Sequence, residues 1–222
     1  MDVKIVTLPQ CGYLEVQLEK KDLSILLDEI ADLKDSLHIP NNLLHDIGKT
    51  LVGNIKSECR LIKSFDSINE LLKPLVSVYL QKFDFLSIYD INFKTHEIDL
   101  FELWVNFQSK TEFNPVHQHA GLLSFVIWID IPYTITEENE ESSSRFGFKW
   151  STKDNPNKFK AGTFEFVFAT ALRSANSHTI YADKSYNFRL ILFPSALSHT
   201  VYPFFSSDEY RISVSGNLGF NI

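Results

Sequence analysis

The stretch Asn114-Pro115-Val116-His117-Gln118-His119-Ala120-Gly121-Leu122-Leu123-Ser124-Phe125-Val126-Ile127-Trp128-Ile129-Asp130-Ile131 decides how this chain is read. From Leu122 onward it is rich in branched and aromatic side chains, the composition of a buried β-strand. His117 and His119 stand two residues apart just before that strand. Alternate residues on extended backbone point the same way, so these two imidazoles can converge on one metal ion. A surface His-x-His pair is the plainer alternative.

Two downstream segments strengthen the metal reading. Leu190-Ile191-Leu192-Phe193-Pro194 is an apolar strand ended by proline, followed by Ser195-Ala196-Leu197-Ser198-His199. His199 is thereby expected at a strand end, by the mouth of a barrel, as a third ligand that leaves open positions on the metal. Arg211-Ile212-Ser213 then sets a guanidinium fork and a hydroxyl on one face, with Ser215 continuing it. That pair suits a carboxylate, although a buried, internally paired arginine fits the same alternation. Together the residues suggest a mononuclear iron site beside a site for an organic acid. The other histidines are weaker candidates. His38 and His45 fall in helical sequence, His96 precedes a strand, and His178 lies in a polar stretch expected to be a loop.

Val3 to Leu18 suggests a strand pair around Pro9-Gln10-Cys11-Gly12. From Lys21 the apolar residues Leu23, Leu26, Leu27, Ile30 and Leu33 recur at helical spacing. A second helix is expected from about Asn42 to Cys59. A third begins after Asp66 or Ser67 and carries Ile68, Leu71, Leu72, Leu75, Val76 and Tyr79, with Pro74 as a possible kink. After Tyr89 the pattern becomes strands: Ile98–Gln108, Leu122–Ile131, Gly162–Ala169, Tyr186–Phe193 and Tyr210–Asn217. Thr134–Ser144, with Glu137, Glu138, Glu140 and Glu141, reads as an exposed, solvated insertion. The expected class is α+β: residues 1–95 form a strand pair and helices packed on an all-β barrel or sandwich of residues 96–222, in one compact unit.

A chain of 222 residues buries roughly 70% of its unfolded surface, so its core needs no disulfide or structural metal. An aromatic content of 14% favours packed β-structure over disorder. The net charge of −7 argues against a general binder of nucleic-acid backbone. Cys11 and Cys59 have no zinc-type spacing and read as reduced thiols. With no leader-like start and no apolar run of about 18 residues, a soluble cytoplasmic protein with no membrane partner is expected.

From Leu103 to Asn217 the chain resembles the iron(II)- and 2-oxoglutarate-dependent oxygenases, especially small phage and marine-bacterial members. The likeness rests on Trp104-Val105-Asn106, Asn114 to His119, Phe125-Val126-Ile127-Trp128, Phe193 to His199 and Arg211-Ile212-Ser213-Val214-Ser215. It implies a double-stranded β-helix, or jelly roll, with supporting N-terminal helices. It also implies that His117 and His199 ligate Fe(II), that Arg211 with Ser213 binds the distal carboxylate of 2-oxoglutarate, and that Asn106 points toward this cosubstrate. The expected reaction is hydroxylation of a protein side chain or small metabolite, with release of succinate and carbon dioxide, in the host cytoplasm if the chain is phage-encoded.

One position departs from the pattern. Where the family carries Asp or Glu, this chain has His119. His119 is then a third imidazole ligand. Alternatively the register shifts, making His119 the first ligand and leaving Gly121 at the carboxylate position, or the site does not turn over. In the last case the chain is a binding or virion-associated jelly roll that keeps the fold and at most a metal.

Overall fold

In a computed structural model of the chain, the structure describes residues 12–37, 53–83, 97–146, 160–170 and 172–220. Its strands are β1 (Leu14–Gln17), β2 (Glu58–Arg60), β3 (Ile98–Gln108), β4 (Asn114–His117), β5 (Leu123–Asp130), β6 (Phe164–Thr170), β7 (Arg173–Ile180), β8 (Arg189–Pro194), β9 (His199–Val201) and β10 (Arg211–Phe220). The helices are α1 (Ser24–Ser36), α2 (Phe65–Lys82) and α3 (Ile135–Phe146).

Among the described residues all the strand pairs are antiparallel, and they form two sheets. The larger runs β1-β8-β5-β10-β3-β2 and the smaller β4-β9-β6-β7. The strand β10 lies at the centre of the larger sheet, from Arg211 opposite Gln108 to Phe220 opposite Ile98 on β3, with β5 on its other side. The two facing sheets make the jelly roll.

The apolar run in β5 follows from burial on both faces. Phe125 and Ile127 join a core beneath the helices, with Leu26 and Ile30 of α1 and Leu72 and Val76 of α2. Val126 and Trp128 point the other way, into a second core between the sheets with Phe164, Phe166 and Phe193. A strand covered on both sides reads as continuous hydrophobic sequence rather than as alternation. Each such side chain contributes roughly 1.5–3 kcal/mol of burial.

The helices differ from expectation in three places. The helix expected over Asn42–Cys59 ends instead in strand β2, where Cys59 pairs with Val105; residues 38–52 lie outside the described residues. Glu29 of α1 is the acceptor at the start of α2, where Ser64 makes no side-chain cap of its own. The Glu29 carboxylate accepts from the amides of Ile62, Lys63 and Ser64 at 2.8–2.9 Å and from the Ser64 hydroxyl at 2.6 Å. The helix α2 continues through Pro74 to Lys82.

The acidic insertion is also a helix. In α3, Glu138 is fully buried, because its carboxylate accepts from the amides of Phe205 at 2.8 Å and Ser206 at 2.5 Å. His178 lies in strand β7 rather than a loop. The first half of the expected N-terminal strand pair lies outside the described residues, as do Cys11, His38, His45 and His96. Its second half, β1, pairs with β8 (Leu14 opposite Leu192). Cys59 is buried in the core beneath the helices. No helix among the described residues is long and apolar enough to cross a membrane.

Candidate metal centre and carboxylate pocket

The strands β4 and β9 set the histidines. They pair antiparallel with His117 directly opposite His199, so both side chains share the face turned into the jelly roll. His119 follows β4, and its amide donates to the Ser195 carbonyl at 3.0 Å, which fixes it against the end of β8. The candidate ligand atoms of the three imidazoles all lie within 4.8 Å of one another. Nε2 of His119 stands 3.2 Å from Nε2 of His199.

Backbone carbonyls orient two of the rings. The Nδ1 of His117 lies 2.7 Å from the Pro115 oxygen, and the Nδ1 of His199 lies 2.9 Å from the Leu197 oxygen. A carbonyl only accepts, so each Nδ1 carries the proton and each Nε2 presents a lone pair. Such a partner on the far nitrogen is the usual support of a ligating histidine. Phe164 stacks on His199 with centroids 5.3 Å apart, and Phe193 meets it edge-on.

Burial holds these rings neutral. It lowers the pKa of His117, with the Pro115 carbonyl opposing. Burial, then the charge of His117, pushes His119 down to about 4. Burial, then the charges of His117 and His119, brings His199 to about 3, although the Leu197 carbonyl acts against them. Three neutral imidazole nitrogens directed at one point suit a divalent transition metal such as iron.

The same cavity reaches Arg211. This side chain is 3% exposed, and each of its five N–H groups meets an oxygen. Nε and Nη2 both donate to Gln108 Oε1, at 3.1 and 2.6 Å. Nη1 donates to the Tyr133 hydroxyl at 2.6 Å and the Gly162 carbonyl at 2.8 Å, and Nη2 also donates to the Tyr202 carbonyl at 3.1 Å. Its guanidinium lies 5.5 Å from the centroid of Phe204. None of these partners is charged. Among the described residues no carboxylate lies in salt-bridge contact with Arg211, and none lines the cavity. A buried cation without a counter-ion is costly, so the pocket favours an anionic guest.

Asn106 and Ser213 face each other across β3 and β10, with Trp128 next in the row on β5. The Asn106 amide nitrogen is 3.4 Å from the Ser213 hydroxyl, while its buried Oδ1 has no partner among the described residues. Of the aromatic residues near the motifs, Trp104 and Trp128 line the cavity. Phe107 belongs to the core beneath the helices, and Phe113 is 39% exposed.

The structure thus gathers His117, His119, His199, Asn106, Arg211 and Ser213 about one cavity. The sequence reading missed Gln108, Tyr133, Gly162 and Tyr202. Gln108 had a signal: it lies two residues beyond Asn106 on β3, on the same face. Gly162 contributes a carbonyl from a turn with φ +72°, where an added Cβ would stand 2.8 Å from the Tyr133 ring, so glycine is required there.

A search of curated proteins finds no match. Among solved structures, the chain is similar to a prolyl-4-hydroxylase from Pseudomonas putida, with 12% identity over 94% of this chain and 92% of that one and a TM-score of 0.52. It is also similar to a 2OG-Fe(II) oxygenase family oxidoreductase from Burkholderia pseudomallei, with 16% identity over 94% of this chain and 84% of that one and a TM-score of 0.44. The first likeness, at this identity, speaks to the jelly-roll fold alone. The family model of the 2OG-Fe(II) oxygenases matches residues 102–217, a span that contains every cavity residue named above. The chain belongs to the 2OG-Fe(II) oxygenases, enzymes that use Fe(II) and 2-oxoglutarate.

Proposed function

We propose that His117, His119 and His199 hold Fe(II) through their Nε2 atoms, and that Arg211 with Ser213 holds the distal carboxylate of 2-oxoglutarate. The enzyme then hydroxylates a protein side chain or a small metabolite, with release of succinate and carbon dioxide. The observation that carries this reading is the coexistence, in one cavity, of three converging neutral imidazoles and a buried guanidinium that has no counter-ion among the described residues.

When bound, the iron supplies the activation of oxygen and the oxidation of 2-oxoglutarate that accompanies it. The chain's own residues bind and orient. The carbonyls of Pro115 and Leu197 fix the ligating tautomers of His117 and His199. Phe164 and Phe193 exclude water from His199. Arg211 offers charge to the far end of the cosubstrate, and Ser213 offers a hydroxyl two residues along the same face.

The centroid separation of 4.3 Å between His117 and His199 supports His117 as a ligand. It disfavours the shifted register, in which His117 would stand outside the set. The unpartnered Oδ1 of Asn106 supports a polar prime substrate. Ionised 2-oxoglutarate carries no hydrogen-bond donor, so an N–H or O–H of the prime substrate is the partner that this oxygen fits.

The test is anaerobic titration of the Fe(II)-loaded protein with 2-oxoglutarate, read by the visible metal-to-ligand charge-transfer band. The band is expected in the native protein and absent from Arg211→Ala and His199→Ala. Bound iron without a band would refute the assignment.

A further inference from the structure

We propose that Gln108 is a specificity-determining residue of the cosubstrate pocket: its neutral carboxamide clamps Arg211 without neutralising it, and so reserves the guanidinium charge for a dicarboxylate. This rests on the reading of Arg211 as the carboxylate-binding residue.

The geometry carries the inference. Gln108 Oε1 accepts from both Nε and Nη2, filling the fork into which a carboxylate oxygen would fit. The other end of the amide is committed too, since Nε2 donates to the Glu112 carbonyl at 2.5 Å. That donor fixes which end of the amide faces Arg211 and gives a reason for glutamine. A glutamate of the same shape would set two acceptors against each other at Glu112 and would place a permanent anion on Arg211. Gln108 is itself 3% exposed, and it lies opposite Arg211 in the β3–β10 register, so the clamp is part of the sheet.

The remaining acceptors around the guanidinium are the Tyr133 hydroxyl and the carbonyls of Gly162 and Tyr202, all neutral. Five donors are therefore oriented while the charge stays unspent. An arriving carboxylate exchanges one neutral acceptor for a charged one, and a charge-assisted hydrogen bond is about twice as strong as a neutral one. A built-in carboxylate at position 108 would remove that gain.

The experiment compares Gln108→Glu and Gln108→Leu with the native protein, using calorimetric titration of the anaerobic Fe(II)-loaded proteins with 2-oxoglutarate. Metal content and circular dichroism are measured in parallel. Gln108→Glu is expected to bind 2-oxoglutarate about 100-fold more weakly with unchanged iron content. Gln108→Leu removes the clamp but adds no charge, and is expected to stay within about tenfold of the native affinity. Equal affinity in Gln108→Glu and the native protein would overturn the proposal. So would a loss in folded Gln108→Leu as large as that in Gln108→Glu, because the residue would then be only a structural support. If Gln108→Glu does not fold, Gln108→Asp, which brings the same charge on a shorter side chain, takes its place in both comparisons. Failure of the native protein to bind 2-oxoglutarate would instead refute the reading of Arg211, and this proposal with it.

Discussion

Replacing Glu138 by alanine is expected to destabilise the protein and to weaken cosubstrate binding together, although Glu138 belongs to α3 and is absent from the cavity wall. Its carboxylate accepts from the Phe205 and Ser206 amides at 2.8 and 2.5 Å. Those residues sit in the segment that delivers the Tyr202 carbonyl to Arg211 and the Phe204 ring onto Tyr133, with centroids 5.1 Å apart. Phe205 and Ser206 are only half-buried, so water can partly replace the lost acceptor. Two charge-assisted bonds at the low end of their range then give a loss of about 3 kcal/mol. For a chain of this size that corresponds to a fall in Tm of about 6–12 °C, measured by differential scanning calorimetry. With the Tyr202 carbonyl displaced, the affinity for 2-oxoglutarate is expected to fall about tenfold. Glu138→Gln keeps one acceptor and should recover about half of each effect. A fall in Tm below 1 °C, or full destabilisation with native 2-oxoglutarate affinity, would refute the coupling of α3 to Arg211.

Further expectations concern the histidines and the helical layer. His117→Ala and His199→Ala should each lower Fe(II) affinity at least tenfold, measured by competition with a chromogenic chelator. Since the folded protein holds His119 near 4 and His199 near 3, below their ordinary value, the metal-free protein should keep its full stability above pH 6.5. It should lose stability as pH falls from 6.5 through 4, because the unfolded chain binds protons first, with a slope of up to about 1.4 kcal/mol per pH unit for each group. A flat urea midpoint across that window would contradict the burial of the cluster. Glu29→Ala strands three backbone amides and one hydroxyl, and should cost about 3 kcal/mol in urea unfolding. Burial alone raises the Glu29 pKa, but the Ser64 hydroxyl and the three amides outweigh it and leave it below the usual carboxylate range. Its contribution is therefore present above the ordinary value of 4.5 and is lost as pH falls through the lower folded value.

Much of the fold was legible because its strands are covered on both faces. The aromatic and branched content of Ile98–Gln108 and Leu122–Ile131 marks β3 and β5 closely, and the i, i+2 spacing of His117 and His119 marks two imidazoles at one cavity. Short or polar strands left no such trace. The three residues of β2 are held by pairing with β3, more than forty positions away, and β7 tolerates Ser174, Asn176 and Ser177 because much of that edge strand faces solvent. The charges of the acidic run dominate its pattern and mask the helix α3. What turns Glu138 inward is a pair of amides 67 and 68 positions downstream, which no local pattern could announce. The enclosure of Arg211 was hidden for a related reason: two of its four partner residues contribute backbone carbonyls, which have no side-chain signature.

The central place of β10 has a consequence for biosynthesis. It is the last of the described strands in chain order, yet it lies between β5 and β3, which precede it by about eighty residues or more. Until β10 leaves the ribosome, β3 and β5 have no common neighbour, and their exposed edges must wait or be shielded by chaperones. The same strand carries Arg211, so closure of the larger sheet and arrival of the cation are a single event. A nascent chain short of this strand can gather its imidazoles but lacks the buried guanidinium that completes the cavity. With Arg211 as the proposed cosubstrate anchor, oxidative chemistry would be withheld from half-made molecules.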